Sequence, residues 1–330
     1  MSAPDPRRGT GDPKVSVCII TYNHERFIAQ AVEGAMMQET TFDFEVVVGE
    51  DCSTDGTRSV LLDLQRKYPD RLRLLLRDPN IGMLRNFVST FEACRGQYVA
   101  LLEGDDYWTA PEKLQVQADL LDANPEHAAC AHNAMVYVES EQRTTCIYGT
   151  ILQSTIDLAQ LVAENRIATC SVMARNGLIH EFPDWFWSLP WGDWAFHVLT
   201  AEHGSFAYID RIMAVYRVHD GGFYSSMDVI KRLEGQIRTW DRFDRYFEGR
   251  YRRQIDVARH PIRVALAEEC CRPGGVPRGT RVMWARLFHA LGMGHVRYQD
   301  VVKSLMRVYA PSTYGRLRDL HLVERPIRRP

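Results

Sequence analysis

Five apolar residues in succession, Tyr98-Val99-Ala100-Leu101-Leu102, run straight into Glu103, Asp105 and Asp106. A run of this length between Gly96 and Gly104 reads as a strand buried on both faces. In open α/β sheets, ligands bind beyond the carboxyl ends of such strands, so the three acids would face a crevice at the sheet rim. Three carboxylates within four positions repel one another unless something positive joins them. A hard divalent cation, Mg2+ or Mn2+, taking carboxylate and phosphate oxygens, meets that need. The plainer alternative is a solvated acidic turn capping a helix that starts near Pro111.

The rest of the first half repeats the pattern. Strands are expected at 15–20, 44–48, 72–76 and 128–138, alternating with helices at 25–37, from a Ser53 or Thr54 N-cap to 68, around 85–91, and at 111–123. Such alternation means βαβ units and a mostly parallel sheet. The ends of the first two strands deliver Thr21-Tyr22-Asn23-His24 and Glu50-Asp51 to the same rim as the central acids. Further on, 169–173 reads as a short strand, 192–203 as a helix and 206–216 as a strand pair. Two glycines after Arg217-Val218-His219-Asp220 suggest backbone close to a ligand. His219 could complete a Mn2+ shell or bond a phosphate.

Composition bounds the class. With 330 residues, 45% hydrophobic and 25% charged, the chain suits a soluble α/β protein, and no stretch is apolar enough for a membrane span. The first 14 residues read as a disordered lead-in rather than a signal peptide. Eight cysteines without paired C-x-x-C spacing fit reduced thiols in the cytoplasm rather than zinc. Net charge is only −2, yet residues 231–330 hold 22 Lys+Arg against 10 Asp+Glu, a balance of +12. The expected division is therefore 1–14, a catalytic domain over 15–225 (halves 15–138 and 139–225), and a helical basic region over 226–330. That basic region could approach an anionic membrane surface or a charged acceptor, or simply be a solvated face.

Taken together, Val17-Cys18-Ile19-Ile20-Thr21-Tyr22-Asn23, the segment Val46 to Thr57, Asn80-x-Gly82 with Arg85-Asn86, and Glu103-Gly104-Asp105-Asp106 resemble the family 2 glycosyltransferases. Four blocks in this order and spacing make the resemblance specific over about residues 14–220. It departs from the family twice: Glu50-Asp51-Cys52-Ser53 stands where Asp-Asp-Gly-Ser is usual, and Glu103 where Asp is usual. The resemblance implies the GT-A fold, a Rossmann-like mostly parallel sheet flanked by helices, and an inverting, metal-dependent enzyme that uses a nucleotide-diphosphate sugar.

It also implies roles. Thr21, Tyr22, Asn23 and Glu50 would belong to the nucleotide-sugar pocket, and Asp51 would accept a base imide N–H, favouring a UDP- or dTDP-sugar. Arg85 would stack on or bond the base or phosphate. Glu103 would accept from ribose hydroxyls. Asp105 is the first choice for the metal ligand, with Asp106 the fallback, and His219 returns to the diphosphate. Asp193, the one acid in Trp191-Gly192-Asp193-Trp194, would be the catalytic base, with a helix N-cap as its bland alternative.

Two other classes stand against this reading. A nucleotidyltransferase of related fold would show a Gly-rich basic loop after the first strand, and Thr21-Tyr22-Asn23-His24-Glu25 is not one. A non-catalytic carbohydrate-binding relative would lack the acids, which are present. Nucleic acid is not an expected partner, because the arginines of the tail are interleaved with apolar positions. The acceptor, whether saccharide, lipid-linked, protein or small molecule, is left open. The expected location is the cytoplasm, with peripheral contact at the inner membrane face as an option.

Overall fold

The computed structural model describes residues 11–148, 151 and 153–271. Two compact units divide the chain, 1–226 and 227–330. In the first unit the order is β1 (Val15–Thr21), α1 (Ile28–Met36), β2 (Phe44–Glu50), α2 (Thr57–Lys67), β3 (Leu72–Leu76), α3 (Met83–Glu92), β4 (Tyr98–Glu103), β5 (Tyr107–Trp108) and α4 (Lys113–Ala123). It continues with β6 (His127–Val138), β7 (Arg143–Ile147), β8 (Thr155–Ile156), α5 (Leu158–Ala163), β9 (Met173–Arg175), α6 (Asp193–Ala201) and β10 (Ser205–Val218).

These strands form one sheet in the order β3-β2-β1-β4-β9-β6-β10-β5, with β7 beside β6 and β8 beside β10. The β1–β2, β1–β4, β2–β3 and β6–β10 pairings are parallel; β9 enters antiparallel between β4 and β6. Register decides what the rim presents. Thr21 lies opposite Glu50, and Ile20 opposite Glu103, so three strands end level with one another. The apolar run of β4 is buried along its length, as a strand covered on both faces requires. Beside it, β1 can approach because residue 96 has no side chain: a Cβ there would meet the Ser16 backbone nitrogen at 2.4 Å and the Val15 carbonyl carbon at 2.7 Å.

Three local expectations are corrected. Helix α2 begins at Thr57, not at a Ser53 or Thr54 cap, because those two residues are engaged across the rim. The Ser53 hydroxyl accepts from the Asn23 N–H, the Thr54 N–H donates to the Asn23 side chain, and Asp55 accepts the Thr57 N–H in their place. Residues 169–171 form a 3-10 turn rather than a strand, and pairing starts only at Met173. That turn aims the Cys170 carbonyl at the Trp108 indole N–H, 2.8 Å away. The strand pair expected over 206–216 is one long strand, β10, whose register slips between Ile209 and Ile212 instead of turning back.

Within the second unit, α7 (Val229–Tyr246) and α8 (Arg252–Cys271) bury Ile230, Ile237 and Leu266 together. Arg259 bonds Asp241 at 2.7 Å and Arg252 pairs with Asp244, which joins the two helices. Residues 272–330, which carry much of the expected basic region, lie outside the described residues, as do residues 1–10 of the expected lead-in. Among the described residues, no helix is long and apolar enough to cross a membrane.

Candidate active site

Level strand ends bring polar groups together, and the loop after β4 concentrates them. Gly104 makes this loop possible: a Cβ there would stand 2.6 Å from the Thr21 hydroxyl and 2.9 Å from His24 Nδ1. The chain then turns so that Asp105 and Asp106 point in different directions. Asp105 Oδ2 lies 3.1 Å from His219 Nε2 and 3.7 Å from His24 Nε2. One ligand atom from each of His24, Asp105 and His219 falls within 4.8 Å of the others. The His219 ring is set by Phe27, with centroids 4.6 Å apart.

Asp106 is turned inward and is almost fully buried. Its Oδ1 accepts the Arg217 backbone N–H at 2.8 Å, and the Cys170 thiol lies beside the carboxyl. The Arg217 guanidinium donates to the Asp105 carbonyl at 2.8 Å, to Glu139 at 2.8 Å and to the Gln30 side chain at 2.6 Å. Its face rests on the Phe27 ring at 4.6 Å. Arg217, only 8% exposed, thereby fastens the end of β10 to the loop after β4.

The acids respond differently to this setting. Burial pushes Asp106 well above the usual carboxylate range, and the Asp105 charge pushes the same way. Glu103 is raised by burial and then by Asp106, Asp105 and Asp193; among the described residues its Oε2 has no hydrogen-bond partner. Burial also acts against ionised Asp105, but the His219 hydrogen bond and the His24 and His219 charges outweigh it, so this carboxyl is lowered. Burial lowers His24, with the Asp105 charge opposing it, and imidazole nitrogen is a donor that suits a divalent transition metal. The donor set is thus one ionised carboxylate and two imidazoles, which fits a divalent cation.

Asp193 is the first residue of α6, and Gly192 occupies the N-cap. Asp193 Oδ2 accepts the Asn165 amide N–H at 2.8 Å. Burial raises this carboxyl, only partly offset by the Trp194 N–H and Asn165. Its charge acts on both Glu103, the last residue of β4, and Tyr148. Around it, Phe186 is fully buried against Phe182, whereas Trp187 is exposed and Trp191 meets Tyr224 edge-on at 5.6 Å.

The side expected to take a nucleotide is more committed to internal structure than the sequence suggested. Glu50 is completely buried, one oxygen accepting the Ser53 N–H at 2.6 Å and the other Arg58 Nε at 2.6 Å. Asp51 accepts the N–H groups of Ile81 and Gly82 at 2.8 and 2.9 Å, and its carbonyl accepts from Asn80. Both acids order the loops around the rim. Thr21 is buried; Asn23, with φ 57, braces the 53–54 segment, and Tyr22 is 44% exposed. Arg85 is exposed on the first turn of α3.

Three residues had drawn no role of their own at the rim: His24, Asn165 and Arg217. His24 follows directly on Thr21-Tyr22-Asn23, so its place at the rim was readable. Arg217 precedes His219 by two, the period of one strand face. Asn165 sits in an irregular segment and had no signal.

Residues 16–180 match the family profile described as Glycosyl transferase family 2, which is half of the chain and ends before Asp193 and His219. The uncharacterized protein Rv1520 of Mycobacterium tuberculosis is 36% identical over 228 residues, 68% of this chain and 64% of that relative's length. An uncharacterized glycosyltransferase of Nostoc, alr2836, is 29% identical over 64% of this chain and 67% of its own. Among solved structures, S. aureus TarS 1–349 in complex with UDP-GlcNAc superposes with a TM-score of 0.55 at 20% identity, covering 94% of this chain and 89% of that one. The mannosyltransferase PcManGT of Pyrobaculum calidifontis, in complex with GDP-Man and Mn2+, gives 0.54 at 17% identity, covering 97% and 89%. At such identities these two likenesses concern the fold.

Replacing Arg217 by Met leaves Glu139 with only its exposed partner Arg26 and removes the side-chain bonds to the Asp105 carbonyl and Gln30, so Arg217→Met is expected to lower stability by about 2 kcal/mol in urea unfolding. A loss under 1 kcal/mol would mean that the arginine is a peripheral contact.

Proposed function

Because the chain belongs to glycosyl transferase family 2, we propose that it is an inverting, metal-dependent glycosyltransferase that moves a sugar from a UDP- or dTDP-sugar to an acceptor hydroxyl. The observation that carries this reading is the charge cluster beyond β4, where Asp105, drawn toward ionisation between two histidines, and a half-buried Asp193 both act on Glu103. TarS and PcManGT, with nucleotide-sugar complexes on the same fold, support the donor class.

Asp105, His219 and His24 would hold the cation, with Asp106 kept back for Arg217. A divalent ion bound there neutralises charge on the departing diphosphate. Two imidazoles beside one carboxylate favour Mn2+ over Mg2+, which prefers oxygen ligands and dehydrates reluctantly. Thr21, Tyr22 and Asn23 line the nucleotide side, and Arg85 is the exposed cation for base or phosphate. Each Asp51 oxygen has a second lone pair, through which a pyrimidine imide could be read. Glu50 acts on the same pocket through Ser53 and Arg58. Glu103 accepts from ribose hydroxyls.

Asp193 removes the acceptor proton as the new bond forms. Its raised affinity for protons suits it to that task, since a base works best with a pKa near the operating pH. Trp191 and Tyr224 give the acceptor apolar ring faces. Acceptors of this description occur in polysaccharide and glycolipid assembly.

Nucleotide release from a panel of UDP- and dTDP-sugars is expected with Mn2+, more weakly with Mg2+, and not in EDTA. Asp193→Asn is expected to lower turnover by about two orders of magnitude or more while leaving the melting temperature and nucleotide binding near wild type. Full activity in EDTA, or a silent Asp193→Asn, would defeat the mechanism.

The +12 balance of 231–330 supports a cytoplasmic protein that touches anionic lipid through this region. Co-sedimentation with anionic vesicles should then fall as salt rises. Equal binding to neutral vesicles, or none to either, would remove the membrane from the account.

A further inference from the structure

We propose that Asn165 is a positioning residue that fixes the orientation of the Asp193 carboxylate and holds it in its ionised form. This rests on the reading of Asp193 as the base, and it concerns a segment between α5 and the 169–171 turn that no sequence motif marks.

The geometry leaves the amide one orientation. An ionised carboxylate only accepts, so the Asn165 NH2 must face Asp193 Oδ2, 2.8 Å away. The Asn165 oxygen then faces His197 Nδ1 at 3.2 Å and the Ile167 N–H at 3.4 Å. His197 is fully buried, and burial lowers its pKa to about 3, so the ring is neutral and its Nδ1 carries the proton donated to that oxygen. The other nitrogen, Nε2, has no hydrogen-bond partner among the described residues, as expected of the bare position in this tautomer.

Asp193 and His197 lie one helical turn apart on α6, so their side chains share a face and grip the same amide. The helix is itself held to α5 by the Trp194 indole N–H, which donates to the Leu161 carbonyl at 2.6 Å. Across the rim, the Asp193 charge acts on Glu103 of β4 and on Tyr148. The Asn165 amide and the N–H groups of Asp193 and Trp194 oppose the effect of burial on Asp193 itself. Asn165 is the one side chain among these donors, so it is the one a substitution can remove.

The sign of the effect follows. A hydrogen bond to the charged form lowers a carboxyl pKa; its loss leaves burial less opposed and raises it. The test is a pH titration of the full chain labelled with 13C at the aspartate carboxyls, the Asp193 signal being assigned as the one missing in Asp193→Asn. Asn165→Ala is expected to move the Asp193 midpoint up by about one pH unit. Asn165→Asp, nearly isosteric and therefore a variant that keeps the fold if Ala does not, is expected to move it further, because a second carboxylate replaces the donor. Midpoints unchanged in both variants would overturn the proposal. This readout needs no substrate. A silent Asp193→Asn in turnover would instead defeat the base assignment itself, whatever Asn165 does.

Discussion

Arg217 is the contact on which the rim depends. Three carboxylates at the end of one buried strand would drive that strand end apart. The backbone N–H of Arg217 holds Asp106 and its guanidinium holds the Asp105 carbonyl, while Glu139 and Gln30 complete the fork. A fixed planar donor set does this where a lysine could not, since each N–H meets a different acceptor. The result is a division among the acids. Asp106 and Glu103 are pushed toward their neutral forms, and Asp105 alone among the three is drawn toward ionisation, between two histidines. That division favours Asp105 over Asp106 as the ligand position.

Much of the fold was legible because its signals are local. Strands β1 to β4 and helices α1 to α4 announce themselves by apolar runs and alternation, and the strand 72–76 appears with the expected bounds. Where reading failed, a long-range partner had overridden a local preference. Ser53 and Thr54 are good capping residues, yet Asn23, 30 positions away in sequence, claims them. The segment 169–173 has strand-like residues, but Trp108 and Gln117 need its carbonyls, so it turns first. Strand β9 lies antiparallel in an otherwise parallel centre, which no period in the sequence signals.

The candidate site was legible to a different degree on its two sides. Asp105 and His219 could be read from motif and glycine context, and the structure brings them within hydrogen-bonding distance. Glu50 and Asp51 looked like rim acids of the same kind. Their oxygens are instead occupied by loop N–H groups and Arg58, contacts that depend on how the 53–58 and 80–82 segments return to β2. Asn165 was invisible because an asparagine in an irregular segment carries no pattern; only the placement of α6 gives it a partner. The family profile likewise stops before α6 and β10, so the half of the site that would receive the acceptor is read from geometry and not from the profile.

The central claim is that one sugar is displaced directly, with Asp193 acting on the attacking hydroxyl and the charge of the leaving diphosphate met at Asp105, His219 and His24. The proton NMR signal of the anomeric centre tests it most directly. With an α-linked donor sugar, the account predicts a β-linked product, read from the change in anomeric coupling as the first turnovers accumulate. A product that keeps the α configuration would contradict single displacement and the role given to Asp193 within it.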